Sequence, residues 1–145
     1  MRLLCILILS LTVSSCEADY MPPYSLYKAK FDVSKVDDVE NTMVVIAKRW
    51  NLEPFQKDRE QMKFLTQNKE AFFIAFYFDG DPVLVVTNVG VGEVLTLSAT
   101  DYKKMPISDL KKLIVEVIDA LKDQFNIEFK KEKLKGSPIS RPPGN

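Results

Sequence analysis

Apolar and polar residues follow strand-like and helix-like periods in turn along most of this chain. From Tyr24 to Val33 apolar and charged residues alternate, which is the period of a half-buried strand. A helix is predicted from about Lys35 to Trp50, because the apolar residues there share one stripe. Ser34 and Asp37 have the spacing of a capping box, so Ser34 is expected to cap the start of this helix.

The most hydrophobic segment after the N-terminus predicts an antiparallel hairpin. Ala71 to Phe78 is followed by the turn Asp79-Gly80-Asp81-Pro82, and Val83 to Asn88 returns along it. Upstream, the polar stretch from Glu53 to Arg59 is predicted to break the pattern before a short strand at Met62 to Thr66. The hairpin therefore lies within a meander of about four strands.

The last part of the chain completes the predicted domain. Gly90 and Gly92 allow a bend before a strand at Val94 to Ser98, and Pro106 and Ser108 open a second amphipathic helix. Ile127 to Lys130 is predicted as a final strand. The order is β-α-β-β-β-β-α-β, an α+β fold with two helices packed on an antiparallel sheet. The single domain is expected over 24–135, followed by a disordered tail over 136–145.

The N-terminus carries the pattern of an export signal. Arg2 precedes an apolar run from Leu3 to Leu11, which is too short to span a membrane as a stable helix of about twenty residues. The run leads into Val13-Ser14-Ser15-Cys16, which resembles the lipobox of bacterial lipoproteins. The resemblance implies removal of the signal peptide 1–15 and attachment of a diacylglycerol to the thiol of Cys16.

The segment 16–23 is predicted to be a short tether between the lipid and the domain. It closes with Pro22-Pro23, which favour an extended chain. At roughly 3.3 Å per residue, the domain would lie within about 20 to 25 Å of the bilayer. In enteric lipoproteins an Asp after the lipidated cysteine retains the protein in the inner membrane, and this chain has Glu17 there. The resemblance therefore favours the outer membrane of the envelope.

Composition narrows the chemistry that the domain can perform. The chain has 145 residues, 20 basic and 20 acidic side chains, 46% hydrophobic residues and no histidine. Loss of the signal peptide leaves a charge of about −1, which does not suggest a nucleic-acid partner. The absence of histidine removes the usual proton shuttle and the commonest metal ligand. Cys5 lies in the signal and Cys16 would be acylated, so no disulfide or free thiol is expected.

Three local motifs suggest chemistry, and each has a better structural explanation. Ser108 and Lys111 have a serine-lysine spacing but fit a helix start. Asp79-Gly80-Asp81 lacks the further ligands of a calcium loop, and Asn88 to Gly92 precedes a strand rather than the helix that a phosphate loop requires. We therefore predict no catalytic residue, no metal and no cofactor, and a non-enzymatic protein.

The hairpin is apolar on both faces, which is the feature most relevant to function. A large apolar surface that stays exposed on a sheet usually marks an interface. Other elements of the fold could instead cover both faces of the hairpin. The leading hypothesis is an envelope protein that binds another protein or itself. An assembly accessory and an inhibitor or immunity protein fit it equally well. The interface candidates are Phe73, Tyr77, Val83 and Val85.

Two further hypotheses compete with protein binding. The alternative is a periplasmic carrier of a lipid or other apolar ligand, held between helices and sheet. The residues expected to line that space are Phe72, Phe76, Val117 and Leu121. A hydrolase that uses carboxylates is the third hypothesis, without a specific constellation to support it.

A basic segment near the C-terminus also allows contact with anionic lipid. The run from Lys130 to Lys135 contains four lysines around one glutamate. Basic clusters near a membrane gain roughly 1 kcal/mol per residue from anionic lipid. A solvated chain end is the preferred interpretation, because nothing in the sequence turns this segment toward a bilayer.

Overall fold

The computed structural model of this chain covers most of the predicted domain. The predicted signal peptide, tether and tail lie outside the described residues, and so do Cys16, Gly90 and Gly92. The described residues are 24–66, 70–89, 93–101 and 104–134.

One antiparallel sheet and three α-helices form the fold. The strands are β1 (Ser25–Lys30), β2 (Glu53–Gln56), β3 (Phe73–Phe78), β4 (Asp81–Thr87), β5 (Val94–Ala99) and β6 (Lys130–Lys131). The helices are α1 (Val36–Arg49), α2 (Arg59–Thr66) and α3 (Ile107–Phe125). The strands lie in the order β2-β3-β4-β5-β1-β6, with every neighbouring pair antiparallel. The predicted α+β class is confirmed.

The segment between α1 and the hairpin differs from the prediction in two elements. The polar stretch expected to be a break contains β2, whose four residues are all exposed at the edge of the sheet. The strand expected at Met62 to Thr66 is instead part of α2. Asp58 explains this, because its carboxylate accepts a hydrogen bond from the Gln61 amide at 3.0 Å and caps the helix. Met62 is the residue of α2 that becomes buried.

The start of α1 also differs from the prediction, because its N-cap is Lys35 and no side chain caps it. A short 3₁₀ turn at Val33–Lys35 precedes the helix, and the Asp32 carboxylate accepts from the Ser34 amide at 3.0 Å. Ser34 therefore donates its backbone amide to the cap, whereas the sequence had predicted a cap from its side chain. Within the described ranges, no helix is long and apolar enough to cross a bilayer.

The predicted hairpin is present, with its turn at Asp79-Gly80. Both turn residues have positive φ, 50° at Asp79 and 81° at Gly80, as a two-residue type I′ turn requires. The register then shifts between Phe76 and Tyr77, so that Val83 is the extra residue of a β-bulge.

The core lies between the inner face of the sheet and helices α1 and α3. A bridge of polar side chains joins the two helices at its margin. The Trp50 indole donates to the Glu116 carboxylate at 2.7 Å, and Arg49 bonds the other oxygen of Glu116. The largest fully buried side chains include Phe72, Phe76, Met43, Ile74, Leu84, Leu95, Leu97, Leu110, Leu113 and Leu121.

Candidate functional site

The sheet has a second face, called here the outer face, which points away from the α1 and α3 core. Strand register defines it, because paired residues of neighbouring strands project to the same side. One row crosses five strands and alternates with the inner residues on every strand. It consists of Phe55, Ala75, Val85, Ser98 and Leu26.

An aromatic cluster, formed by Phe55, Phe73 and Tyr77, occupies the β2–β3 end of the outer face. The Phe55 ring lies 6.5 Å from the ring of Phe73 and 6.2 Å from that of Tyr77, centroid to centroid. Both contacts are edge-on, at interplanar angles of 76° and 73°, which is a favourable arrangement of aromatic rings. Phe55 is nevertheless 47% exposed. The cluster thus presents apolar surface to the outside.

Three of the four predicted interface residues lie on the outer face. Phe73, Tyr77 and Val85 are half-buried there. Val83 was also predicted to be an interface residue, but it is only 1% exposed and belongs to the main core cluster. The bulge explains its position, since one extra residue reverses the alternation of side chains at that point of β4.

Phe55 is the residue that sequence reasoning missed. It stands as a single apolar residue in a polar stretch, so no alternation marks it as part of a strand. Its role becomes visible only when β2 pairs with β3 and places Phe55 opposite Ala75.

Each edge of the sheet is poorly suited to pairing with a further strand. The Lys57 amide donates to the Phe73 carbonyl at 3.1 Å, so by alternation Pro54 and Gln56 direct their backbone groups away from β3. Proline has no amide hydrogen to offer at such an edge. At the other edge, β6 has two residues, both lysines. A partner would therefore bind the outer face more readily than an edge.

Polar groups border the aromatic cluster on its open side. The Lys57 ammonium lies 6.0 Å from the centre of the Phe73 ring, a cation–π distance. Glu53 stands opposite Tyr77 on β2. An apolar centre with charged groups at its border is the usual composition of a protein interface.

The Asp79-Gly80-Asp81 turn, considered above as a calcium loop, binds a lysine of the same chain. The Lys104 ammonium donates to the Asp79 carbonyl at 2.7 Å and lies 3.0 Å from the Asp81 carboxylate. It therefore sits where a cation bound by the hairpin turn would lie. The Asp81 carboxylate, mainly through its hydrogen bond, and the Asp79 carboxylate raise the pKa of Lys104. In the described part of the chain, no three acidic, cysteine or histidine residues come together as metal ligands.

Asn88, which the sequence placed at the start of a glycine loop, anchors the beginning of the hairpin. Its side chain is 1% exposed, accepts from the Phe72 amide and donates to the Glu70 carbonyl, each at 2.7 Å. These are the hydrogen bonds that a neighbouring strand would supply. The rest of the loop, residues 90–92, lies outside the described residues.

The residues expected to line a carrier cavity belong to the packed core. Phe72, Phe76, Val117 and Leu121 are each 0% exposed and are part of the main hydrophobic cluster. The two surface hollows described lie elsewhere, one along α3 and one between α1 and α3. No specific observation on the described residues favours the carrier hypothesis.

Comparison with protein-family models, with curated proteins and with solved structures finds no match for this chain. Its function therefore has to be argued from the outer face itself.

Proposed function

We propose that this chain is a non-enzymatic lipoprotein of the bacterial envelope that binds another protein, or a second copy of itself, through the outer face. In this proposal a lipid on Cys16 holds the domain near the bilayer, and the outer membrane is the favoured location. The anchor rests on the resemblance of Val13-Ser14-Ser15-Cys16 to a lipobox.

The observation that supports binding is the aromatic cluster on the face opposite the helices. Helices α1 and α3 bury the inner face, so Phe55, Phe73 and Tyr77 do not stabilise the main core. Aromatic residues with two side-chain torsions lose little conformational entropy on binding, and they dominate the energetics of interfaces. An aromatic cluster of this kind, next to the small residue Ala75 and bordered by Lys57 and Glu53, suits a protein partner.

The binding proposal is tested by crosslinking in intact envelopes, followed by affinity capture and mass spectrometry. Phe73→Asp and Tyr77→Asp should each abolish the crosslinked partner or dimer, because each removes an aromatic ring of the cluster and adds a carboxylate that binding would have to strip of water. Val115→Asp is the matched control, because Val115 is 56% exposed on α3 and lies on the helical layer.

Thermal unfolding of each variant separates lost binding from lost folding. Should an aspartate variant prove unstable, Phe55→Ser provides a milder change at a more exposed position of the same cluster. Capture of the same partner by all three folded variants would show that the outer face is not the binding surface.

The anchor is tested separately by the mass of the N-terminal peptide and by Cys16→Ser. Lipidation predicts a peptide that begins at Cys16 with added acyl mass, and release of the Cys16→Ser variant from membranes. An unmodified Cys16 in the mature chain would contradict the anchor without bearing on the outer face.

A further inference from the structure

The β1–β6 end of the outer face has a different character from the aromatic end. Lys28 and Lys30 alternate along β1 and project to the outer side, since Lys28 is in register with Thr96 and Lys30 with Val94. Lys130 of β6 pairs directly with Lys28. We call Lys28, Lys30 and Lys130 the lysine strip; all three are exposed.

The lysine strip contains an unfavourable arrangement of charge. Like charges directly opposite each other on neighbouring strands are destabilising, and Lys28 and Lys130 are in that position. Across the described ranges, none of the three ammonium groups has a carboxylate oxygen within 4.0 Å. The Asp32 carboxylate is engaged by the Ser34 amide instead. Glu132 continues β6 opposite Leu26, on the same side as the strip, and forms no ion pair with its three lysines. An external anionic surface would offset this repulsion.

Lys131 shows by contrast how a lysine at this edge can be accommodated within the chain. Its ammonium lies 5.9 Å from the centre of the Tyr27 ring, on the opposite side of the strands from Lys130. The lysine strip has no such aromatic partner among the described side chains.

The strip also lies where the chain would emerge from a membrane anchor. Strand β1 begins at Ser25, and the nine residues from Cys16 to Tyr24 can reach no further than about 30 Å at roughly 3.3 Å per residue. The aromatic cluster on β2 and β3 lies three to five strand spacings from the strip, which is about 14 to 24 Å at about 4.8 Å per spacing. A twist of about 20° to 25° per strand turns the two ends of the outer face roughly 100° apart. Contact at one end therefore leaves the other end free.

We infer that the lysine strip docks on the anionic lipid headgroups of the membrane that carries the anchor, and so directs the aromatic cluster away from the bilayer toward a partner. This inference rests on the proposed lipid anchor at Cys16. The two ends of the outer face would then make contact with two different partners. The basic end binds phosphate-bearing lipid, and the aromatic end binds protein.

The inference is tested with the full lipidated chain in vesicles made of a zwitterionic lipid, with or without phosphatidylglycerol. Accessible lysines are labelled with an amine-reactive reagent and quantified by mass spectrometry. In anionic vesicles the labelling rate of the lysine strip should fall about tenfold, whereas Lys111 and Lys122 of α3 should label equally in both. Salt at about 1 M should restore labelling, because it shortens the Debye length to about 3 Å.

Paired variants show whether the strip acts as a unit. Lys28→Gln/Lys130→Gln should abolish the protection of Lys30 in anionic vesicles, and the control Lys48→Gln/Lys122→Gln on the helical layer should preserve it. Equal labelling of the strip in the two vesicle types would overturn the docking inference. A second copy of the chain that covers the strip would give this result, because its protection would be the same in both kinds of vesicle. A chain that fails to float with zwitterionic vesicles lacks the anchor, and this separate result overturns the anchor and the docking inference that rests on it.

Discussion

Phe55 lies directly opposite Ala75 on the β2–β3 pair, and Ala75 is 0% exposed although it belongs to the outer face. The Phe55 ring also meets Phe73 and Tyr77, the residues two positions before and after Ala75. A small residue between two aromatic residues thus gives the Phe55 ring a place to lie across the strand. The outer face keeps an apolar surface without leaving the backbone of β3 open to solvent.

We predict that Phe55→Ser weakens partner binding more than it weakens folding. Phe55 is 47% exposed, so the substitution should lower the free energy of unfolding by about 1 kcal/mol. Binding should fall at least tenfold, because aromatic residues at the centre of interfaces commonly contribute 2 kcal/mol or more. Denaturant unfolding and quantitative crosslinking measure the two effects. Val45→Ser, at a residue that is 56% exposed on α1, is the control that should leave binding unchanged.

Asn88→Asp should destabilise the fold by about 3 kcal/mol. The substitution replaces the amide donor that faces the Glu70 carbonyl with a carboxylate oxygen, in a position that is 1% exposed. Urea unfolding measures the change. Asn41→Asp on the exposed side of α1 changes the same chemical group and should shift stability by no more than about 0.5 kcal/mol. Equal effects at both positions would contradict the anchoring role of Asn88.

Trp50 and Glu116 should show an energetic coupling of about 1 kcal/mol in a double-mutant cycle. Trp50→Phe keeps an aromatic ring but removes the donor that bonds Glu116, and Glu116→Gln removes the charge that both Trp50 and Arg49 contact. Asp38→Asn provides the control for the cycle, since it is twelve residues, or about 18 Å, along α1 from Trp50. The Trp50–Asp38 pair should be additive.

The Asp32 cap should make stability depend on pH in the acid range. Hydrogen bonds from the side chain and the backbone of Ser34 hold the pKa of Asp32 below its ordinary value of 3.8. Because the folded pKa is the lower one, the cap stabilises the fold above pH 3.8, and this contribution is lost as pH falls through the folded pKa. The stability difference between wild type and Asp32→Ala should therefore disappear in acid.

An NMR titration of the Asp32 carboxyl group measures its pKa directly. Ser34→Ala is the informative variant, because it keeps the backbone amide and removes the hydroxyl. It should bring the pKa of Asp32 partway back to 3.8. A titration midpoint at 3.8 in the wild type would contradict the cap.

Local periodicity and turn chemistry were enough to predict part of the fold. The helical stripes predicted α1 and α3, and the Asp79-Gly80 turn predicted the central hairpin, because their signals lie within a few residues of one another. The same reasoning placed Phe73, Tyr77 and Val85 together on one side of the sheet. The lipobox-like motif at Cys16 supports an anchor whose attachment remains a prediction.

Other features depend on contacts between distant parts of the chain. Strand β2 and Phe55 take their places through pairing with β3. Helix α2 is a different case, because its Asp58 cap is a local signal that the strand prediction missed, and only the buried position of Met62 depends on the fold. Val83 moved to the core because a bulge shifts the alternation by one residue, which reverses the side to which a strand residue points. Strand pairing likewise set Lys130 opposite Lys28. Pairing between residues far apart in the chain follows from packing the whole sheet, and no local pattern in the sequence records it.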